Sequence, residues 1–273
     1  MTGNEQRART LAEQFRAQHD LGEGPIKDMF ELVHACAGVD VLSMDADEAE
    51  HGLSMIDPDT GRVVVAVATT PHPMRQRSSI AHELGHIVAG HLGHPDLLTP
   101  GERTPAEICA DAFARHLLLP LASARRRLAT IEGAASVAHL SELVQEFEVS
   151  PSIAAIQLRT LGYIDADTCT EWTRQSSSGL SAARLAARFG WLSQYLSLAE
   201  DSTRPRAPQA LMIRAVDGYR RGVLGIAEVA KWYGQDRVDL EEQLGPAAPA
   251  EFIDDYWDSD APLFPDAAPG PAR

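Results

Sequence analysis

The chain has 273 residues, of which 44% are apolar and 23% are charged, so it is long enough to bury a substantial core. Its formal net charge of -15 argues against tight binding to nucleic acid, because neutralising phosphates requires a surface rich in lysine and arginine. A polar N-terminus, the lack of a long apolar run and 3 cysteines without a close pair predict a cytoplasmic protein with neither signal peptide nor membrane span.

The first part of the chain is predicted to combine helices with a small sheet. Helices are expected over residues 7–19 and 26–37, followed by a strand over residues 39–43. A hairpin follows, with strands over residues 52–56 and 62–68 that are joined by a proline- and glycine-containing turn. We expect this hairpin to supply a sheet edge, although a plain core strand fits the pattern equally well.

The next predicted helix, over residues 78–90, contains the pattern His82-Glu83-Leu84-Gly85-His86. Two histidines four residues apart lie about 40° apart around a helix, so both rings can reach one metal ion with Glu83 beside them. This H-E-x-x-H pattern is typical of zinc hydrolases. The alternative is a pair of hydrogen-bonded core histidines, since the helix is otherwise apolar and unpaired polar groups there would be costly to bury.

A catalytic zinc site needs a third protein ligand and an open fourth position. Glu107 and Asp111 lie four residues apart on a second predicted helix, so one carboxylate can bind the metal while the other orients a histidine ring. We assign Glu107 as the ligand and Asp111 as the carboxylate behind a histidine. The alternative for Glu107 is a capping box with Thr104 at the start of the same helix.

Other candidate ligands are excluded by their positions. His91 lies five residues after His86, about 140° around a continued helix, and is predicted to face away from the metal. The longer H-E-x-x-H-x-x-G-x-x-H pattern is excluded by Ala89 and Leu92. Cys109 is predicted to be a small buried apolar residue. The remaining histidines that we weighed have no spacing that recruits them, and we expect them at the surface or in loops: His51, His72, His94 and His116.

The two motifs together resemble the ImmA/IrrE family of bacterial zinc metallopeptidases. The resemblance covers roughly residues 25–165 and is carried by Arg75, the H-E-L-G-H stretch, Glu107-x-x-Ala110-Asp111-x-Phe113-Ala114 and Leu117-Leu118-Leu119-Pro120. It implies a cytoplasmic endopeptidase that cuts a DNA-binding repressor. It also implies one zinc ion per chain, with the metal ligands His82, His86 and Glu107 and the general base Glu83.

The resemblance further implies a fold and a mechanism. The fold is α+β, with a zincin-like core over residues 1–135 in which a small, twisted, mainly antiparallel sheet packs on the active-site helix. Zinc would lower the pKa of its water to about 7, and Glu83 would take the proton and return it to the leaving amine. A second oxyanion donor is not chosen among His51, His72 and Tyr163.

The rest of the chain is predicted to be mostly helical. Residues 136–165 contain two short helices separated by a turn at residues 148–150, which resembles a helix-turn-helix unit. Its second helix has only one arginine, Arg159, so a packing or substrate-docking role is favoured over contact with DNA. Residues 166–245 are predicted to form a helical region. It overlaps a polar linker over 165–179 and contains a helix over 180–198 and a helical unit over 209–244. The tail over 246–273 is acidic and rich in proline, and it is predicted to be disordered.

Two other functions stay open at this point. A regulatory or substrate-binding protein could keep the metal site as a structural or vestigial feature. A general peptidase would use the same residues without a dedicated partner. The expected partner is a basic, DNA-binding protein substrate encoded nearby, because an acidic enzyme attracts a basic partner.

Overall fold

The computed structural model describes residues 3–46, 52–56, 61–92 and 104–248, and the predictions for His51, His94 and residues 57–60 and 249–273 lie outside them. Within these residues the fold is mixed α+β, with 3 strands and 13 helices. The chain divides into two compact units, Met1–Met212 and Ile213–Arg273. In the part of the chain that the structure describes, no helix is both long and apolar enough to cross a lipid bilayer.

The sheet contains β1 (Asp40–Met44), β2 (Gly52–Ile56) and β3 (Val63–Ala68) in the order β1-β3-β2. Strands β2 and β3 are antiparallel, so the predicted hairpin is confirmed. Strands β1 and β3 are parallel, because the chain returns through the edge strand β2 before it enters the centre of the sheet. The expectation of a mainly antiparallel sheet therefore holds for only one of the two strand pairs.

The two faces of the sheet differ in burial because side chains alternate along each strand. Val41, Val65 and Val67 are buried on the face that packs against the helices. On the opposite face, Leu53 and Met55 of β2 are exposed. Strand β2 lies at an edge of the sheet, as the strand order shows. Its inner side chains are turned towards the helical layer.

The first part of the chain also forms four helices: α1 (Gly3–Gln18), α2 (Met29–Ala37), α3 (Pro73–Val88) and α4 (Pro105–Leu118). The predicted metal-binding motifs lie on α3 and α4. Both α3 and α4 begin with proline, whose missing N–H is not needed in the first turn of a helix. The predicted metal helix is confirmed, and it starts five residues earlier than expected.

The remaining helices of the first unit contribute to one hydrophobic core with the sheet and the metal-binding helices. They are α5 (Leu121–Arg127), α6 (Val137–Phe147), α7 (Pro151–Thr160), α8 (Ala166–Gln175), α9 (Ala182–Phe189) and α10 (Leu192–Ser202). Helices α6 and α7 and the turn between them lie where the helix-turn-helix-like unit was predicted. The proposed domain boundaries at residues 135 and 165 stay predictions.

Two sequence predictions in this region are wrong. The polar stretch over residues 165–179 is not a linker, because Asp165 accepts a hydrogen bond from the N–H of Thr168 and caps α8. The single helix expected over residues 180–198 is two helices, α9 and α10. Gly190 separates them with a left-handed backbone, φ 83°, which ends α9.

The second unit contains the last helices that the structure describes. Helix α11 (Gln209–Arg220) enters it, and α12 (Ile226–Tyr233) and α13 (Arg237–Leu244) follow, as the predicted helical unit requires. Tyr219 donates its hydroxyl to the carbonyl oxygen of Gly245 at 2.8 Å, which ties the end of α13 to α11.

Candidate metal centre

Helices α3 and α4 approach closely where α3 carries Gly85. A Cβ atom at Gly85 would lie 3.1 Å from the Cα of Ala110 and 3.1 Å from a ring carbon of Phe113. The glycine in the middle of the H-E-L-G-H stretch therefore lets the backbones of the two helices come together. This contact brings the histidines of α3 beside the first turns of α4.

Three side chains converge at this contact: His82, His86 and Glu107. The Nε2 atoms of the two histidines are 3.0 Å apart, and the Glu107 oxygens lie 3.1 Å from His82 Nε2 and 3.3 Å from His86 Nε2. A tetrahedral zinc ion with bonds of about 2.0–2.1 Å separates its ligand atoms by about 3.3–3.4 Å. Two imidazole nitrogens and one carboxylate at these separations therefore fit a zinc ion.

Glu107 occupies the first turn of α4, where the sequence allowed either a cap or a ligand. Thr104 caps the helix, because its hydroxyl oxygen accepts the backbone N–H of Glu107 at 3.2 Å. The Glu107 carboxylate does not complete the reciprocal capping box, since it faces the two histidines instead. The geometry therefore favours the ligand interpretation.

The far nitrogen of each histidine has its own partner. Asp111 Oδ1 lies 3.0 Å from His82 Nδ1, which is where the sequence prediction put it. His91 Nδ1 lies 3.2 Å from His86 Nδ1, so the prediction that His91 faces away from the site is wrong. That prediction extended the helical angle to position 91, but α3 ends at Val88.

Strand β2 holds the carboxylate of Glu83. The Ser54 hydroxyl donates a hydrogen bond to Glu83 Oε2, and a Cβ atom at Gly52 would lie 2.9 Å from Glu83 Oε1. Glu83 itself is buried. Sequence reasoning did not find Ser54 or Gly52, because their contact with Glu83 depends on how the hairpin packs on α3.

The part of the chain that forms this site also matches a known protein family. Residues 35–159, which contain every predicted site residue, match the family model described as the IrrE N-terminal-like domain. This part of the chain belongs to that peptidase family. The family suggests a zinc metallopeptidase. No curated protein matches the chain.

The two clustered histidines of the IrrE-like domain have pKa values that differ strongly from each other. Burial opposes the charged form of His82, but hydrogen bonds with Asp111 and Glu107 outweigh it and raise the pKa of His82 to about 10. Burial and the charge of His82 lower the pKa of His86 to about 4. Without a metal, His82 is therefore positively charged and His86 is neutral at neutral pH, and a bound cation would displace a proton from His82.

The two acidic groups shift in opposite directions. The hydrogen bond with His82 lowers the pKa of Glu107, which keeps that carboxylate charged as a metal ligand must be. Burial raises the pKa of Glu83, while the hydrogen bond from Ser54 partly opposes the rise. The IrrE-like domain thus keeps Glu107 charged, as a metal ligand must be, and makes Glu83 a stronger base.

Among the residues that the structure describes, His72, His116 and Tyr163 are not part of the convergent group. His72 is the N-cap residue of α3 and is exposed, as expected. His116 is buried in α4 and lies 2.9 Å from a Glu5 oxygen, so its prediction as a surface histidine is wrong. Tyr163 donates its hydroxyl to Leu128 O. Cys109 is buried, which confirms its prediction.

Proposed function

We propose that the chain is a zinc-dependent endopeptidase that hydrolyses a peptide bond in a specific protein substrate, a helix-turn-helix repressor or antitoxin-type regulator, and thereby relieves repression. The position of Glu83 is the observation that supports this proposal most strongly. Glu83 is a buried carboxylate that β2 holds beside three convergent donor groups. A structural metal site has no use for such a base.

His82, His86 and Glu107 would hold one zinc ion per chain. When bound, zinc supplies Lewis acidity towards a water molecule and the substrate carbonyl. The side of the site formed by α4 is open, since the side chains of Glu107 and Asp111 are 34% and 51% exposed. Substrate can therefore approach the donor set from solvent.

Glu83 would act as the general base and then as the general acid. Its raised pKa suits a group that takes a proton from the attacking water and gives it to the leaving amine. Ser54 engages one carboxylate oxygen, Oε2, and so orients the group for proton transfer through the other oxygen.

The edge of β2 supplies a path for an extended substrate. Among the described residues, no segment pairs with the outer edge of β2, whereas Arg206 pairs with β1 through two hydrogen bonds of 3.0 Å with Ser43. A peptide that adds to the β2 edge would pass near Glu83, because Ser54 of β2 donates a hydrogen bond to that carboxylate. Pairing with a strand edge uses the main chain of the substrate and needs no free terminus, which suits an endopeptidase.

A cavity of about 260 Å³ lies farther along α3, where Arg75, Gln76 and Ser79 face the loop after β3 at Thr69 and Thr70. Ser79 is one helical turn before Glu83, so the cavity lies on the same side of α3 as the base. Its lining combines polar side chains such as Arg75 and Gln76 with apolar ones such as Ala68 and Pro71, which suits a substrate side chain with both polar and apolar parts.

The test uses the purified protein and the helix-turn-helix protein encoded next to it. Metal analysis should find one zinc ion per chain, and co-expression should produce a discrete fragment of the neighbouring protein, identified by mass spectrometry. Glu83→Gln should keep zinc and abolish the fragment. Broad digestion of a peptide library would indicate a general peptidase instead. Zinc binding without any cleavage would indicate a binding regulator.

A further inference from the structure

His91 reaches the metal centre through the turn that ends α3. Gly90 has a left-handed backbone, φ 72°, which reverses the chain directly after the helix. The backbone N–H of His91 donates to His86 O at 2.9 Å. The two rings then meet edge to face, with centroids 5.3 Å apart and planes at 66°.

The ring of His86 has one nitrogen for the metal and one that needs a partner. Its Nε2 faces His82 and Glu107, whereas its Nδ1 lies 3.2 Å from His91 Nδ1. A neutral imidazole that binds a cation through Nε2 carries its proton on Nδ1, and that N–H must donate to an acceptor. His86 is buried, so an unsatisfied Nδ1–H there would be costly.

We propose that His91 is a positioning residue that accepts the Nδ1–H of His86 and so holds His86 Nε2 towards the metal. The proposal rests on the zinc site of the proposed function. His91 is not itself one of the three convergent donors. In this arrangement it is neutral, with its own proton on Nε2.

A neutral partner for His86 agrees with the charges around the site. The centre already gathers the carboxylates of Glu83 and Glu107, and that of Asp111 supports His82. A fourth carboxylate behind His86 would add repulsion among like charges in a partly buried site. An imidazole at position 91 accepts the same hydrogen bond without adding negative charge.

The experiment compares zinc affinities of full-length variants by competition with a chelator. His91→Leu fills similar space without an acceptor and should weaken zinc binding about 10–100-fold, as losing an outer partner of a ligand does. His91→Asn places an amide oxygen near the position of Nδ1 and should restore most of the affinity. His72→Leu changes a histidine on the same helix outside the donor set and should leave the affinity unchanged.

Two further measurements separate positioning from a general structural role. The visible spectrum of the Co²⁺-substituted protein should change in His91→Leu and return in His91→Asn. Nitrogen-15 NMR of the zinc-loaded wild type should show His86 protonated on Nδ1, with a scalar coupling to His91 Nδ1. This measurement decides the question even where His91→Leu does not fold.

Wild-type zinc affinity in His91→Leu, or a His86 proton on Nε2, would overturn the role of His91 and leave the proposed function intact. A wild type that binds no zinc would overturn both proposals.

Discussion

Helix α4 takes part in two clusters of carboxylates and histidines, one near each end. Near its N-terminus, Glu107 meets His82 and His86. Near its C-terminus, Arg115 and His116 meet Glu5 from α1. Both clusters contain a histidine close to a carboxylate. The C-terminal cluster pairs hydrogen-bond donors with an acceptor, whereas the N-terminal cluster brings several acceptor atoms together.

In the C-terminal cluster, the carboxylate is paired with a cationic side chain of the protein itself. Arg115 donates to both oxygens of Glu5, at 2.7 and 2.6 Å, and His116 lies 2.9 Å from one of them. Hydrogen bonds with His116 and Arg115, against some burial, lower the pKa of Glu5 to about 2. The cluster is a clamp between α1 and α4.

The N-terminal cluster turns acceptor atoms towards one point. A carboxylate and two imidazole nitrogens lie within 3.0–3.3 Å of one another. A cation bound between them would stabilise this arrangement. The comparison shows that residue types alone do not separate a structural histidine from a metal ligand. The balance of donors and acceptors around the histidine separates them.

The largest effect should come from the base beside the N-terminal cluster. Glu83→Gln should lower the cleavage rate by about 10²–10⁴-fold, because general acid–base catalysis contributes that much. Zinc content should stay at the wild-type level, since Glu83 is not among the convergent donors. Initial rates and metal analysis on the same sample check both statements. Full activity would refute the assigned base.

The two ends of α4 should respond differently to loss of a carboxylate. Glu107→Gln should weaken zinc binding beyond the roughly 10–100-fold typical of losing an outer partner, because it removes a direct ligand. Glu5→Gln, the matched change in the other cluster, should leave the zinc affinity near the wild-type value. Chelator competition measures both. Equal losses in the two variants would contradict the distinction between the clusters.

The approach of α3 to α4 should be sensitive at Gly85. Gly85→Ala places a methyl group 3.1 Å from the Ala110 backbone, so the helices must separate. We expect a loss of about 1–3 kcal/mol in the free energy of unfolding, as overpacking usually costs, together with weaker zinc binding. Denaturant unfolding and zinc titration test this. Gly24→Ala is the control for a general effect of changing a glycine, because a Cβ atom there meets nothing within 4 Å, and it should leave zinc binding unchanged.

The clamp at Glu5 should make stability depend on acid pH. The pKa of Glu5 falls from 4.5 to about 2 on folding, so its contribution is present above pH 4.5 and is lost as pH falls through 2. Glu5→Gln should cost about 1–2 kcal/mol at neutral pH, an estimate reduced because Glu5 is partly exposed. Urea unfolding across this pH range should show the two proteins converging in acid. A constant difference would contradict the clamp.

The smallest effect should come from the partner of the base. Ser54→Ala removes a hydrogen bond that lowers the pKa of Glu83, so that pKa should rise. The acid side of the pH–rate profile should therefore move to higher pH, with a rate loss of about tenfold or less at neutral pH for one hydrogen bond of about 1 kcal/mol. Ser78→Ala, which removes a hydroxyl bonded to Met74 O within α3, should leave the profile in place.

Local sequence patterns were enough to predict the helical parts of the site. His82 and His86, like Glu107 and Asp111, are four residues apart, and the helical repeat puts each pair on one face whatever surrounds it. The same local rules predicted the β2–β3 hairpin. They did not predict that Asp165 caps a helix in a polar stretch or that Gly190 divides one.

The groups that support those residues depend on how the folded chain brings its parts together. Ser54 meets Glu83 because the hairpin packs on α3, and His91 returns to His86 because the chain reverses after the helix ends. His116 is buried because a glutamate 111 residues earlier in the chain lies against it. Helical periodicity acts within one helix, so it cannot show that the chain turns back after α3 ends. The Ser54 and Glu5 contacts join distant parts of the chain, whose separation in space is set by packing.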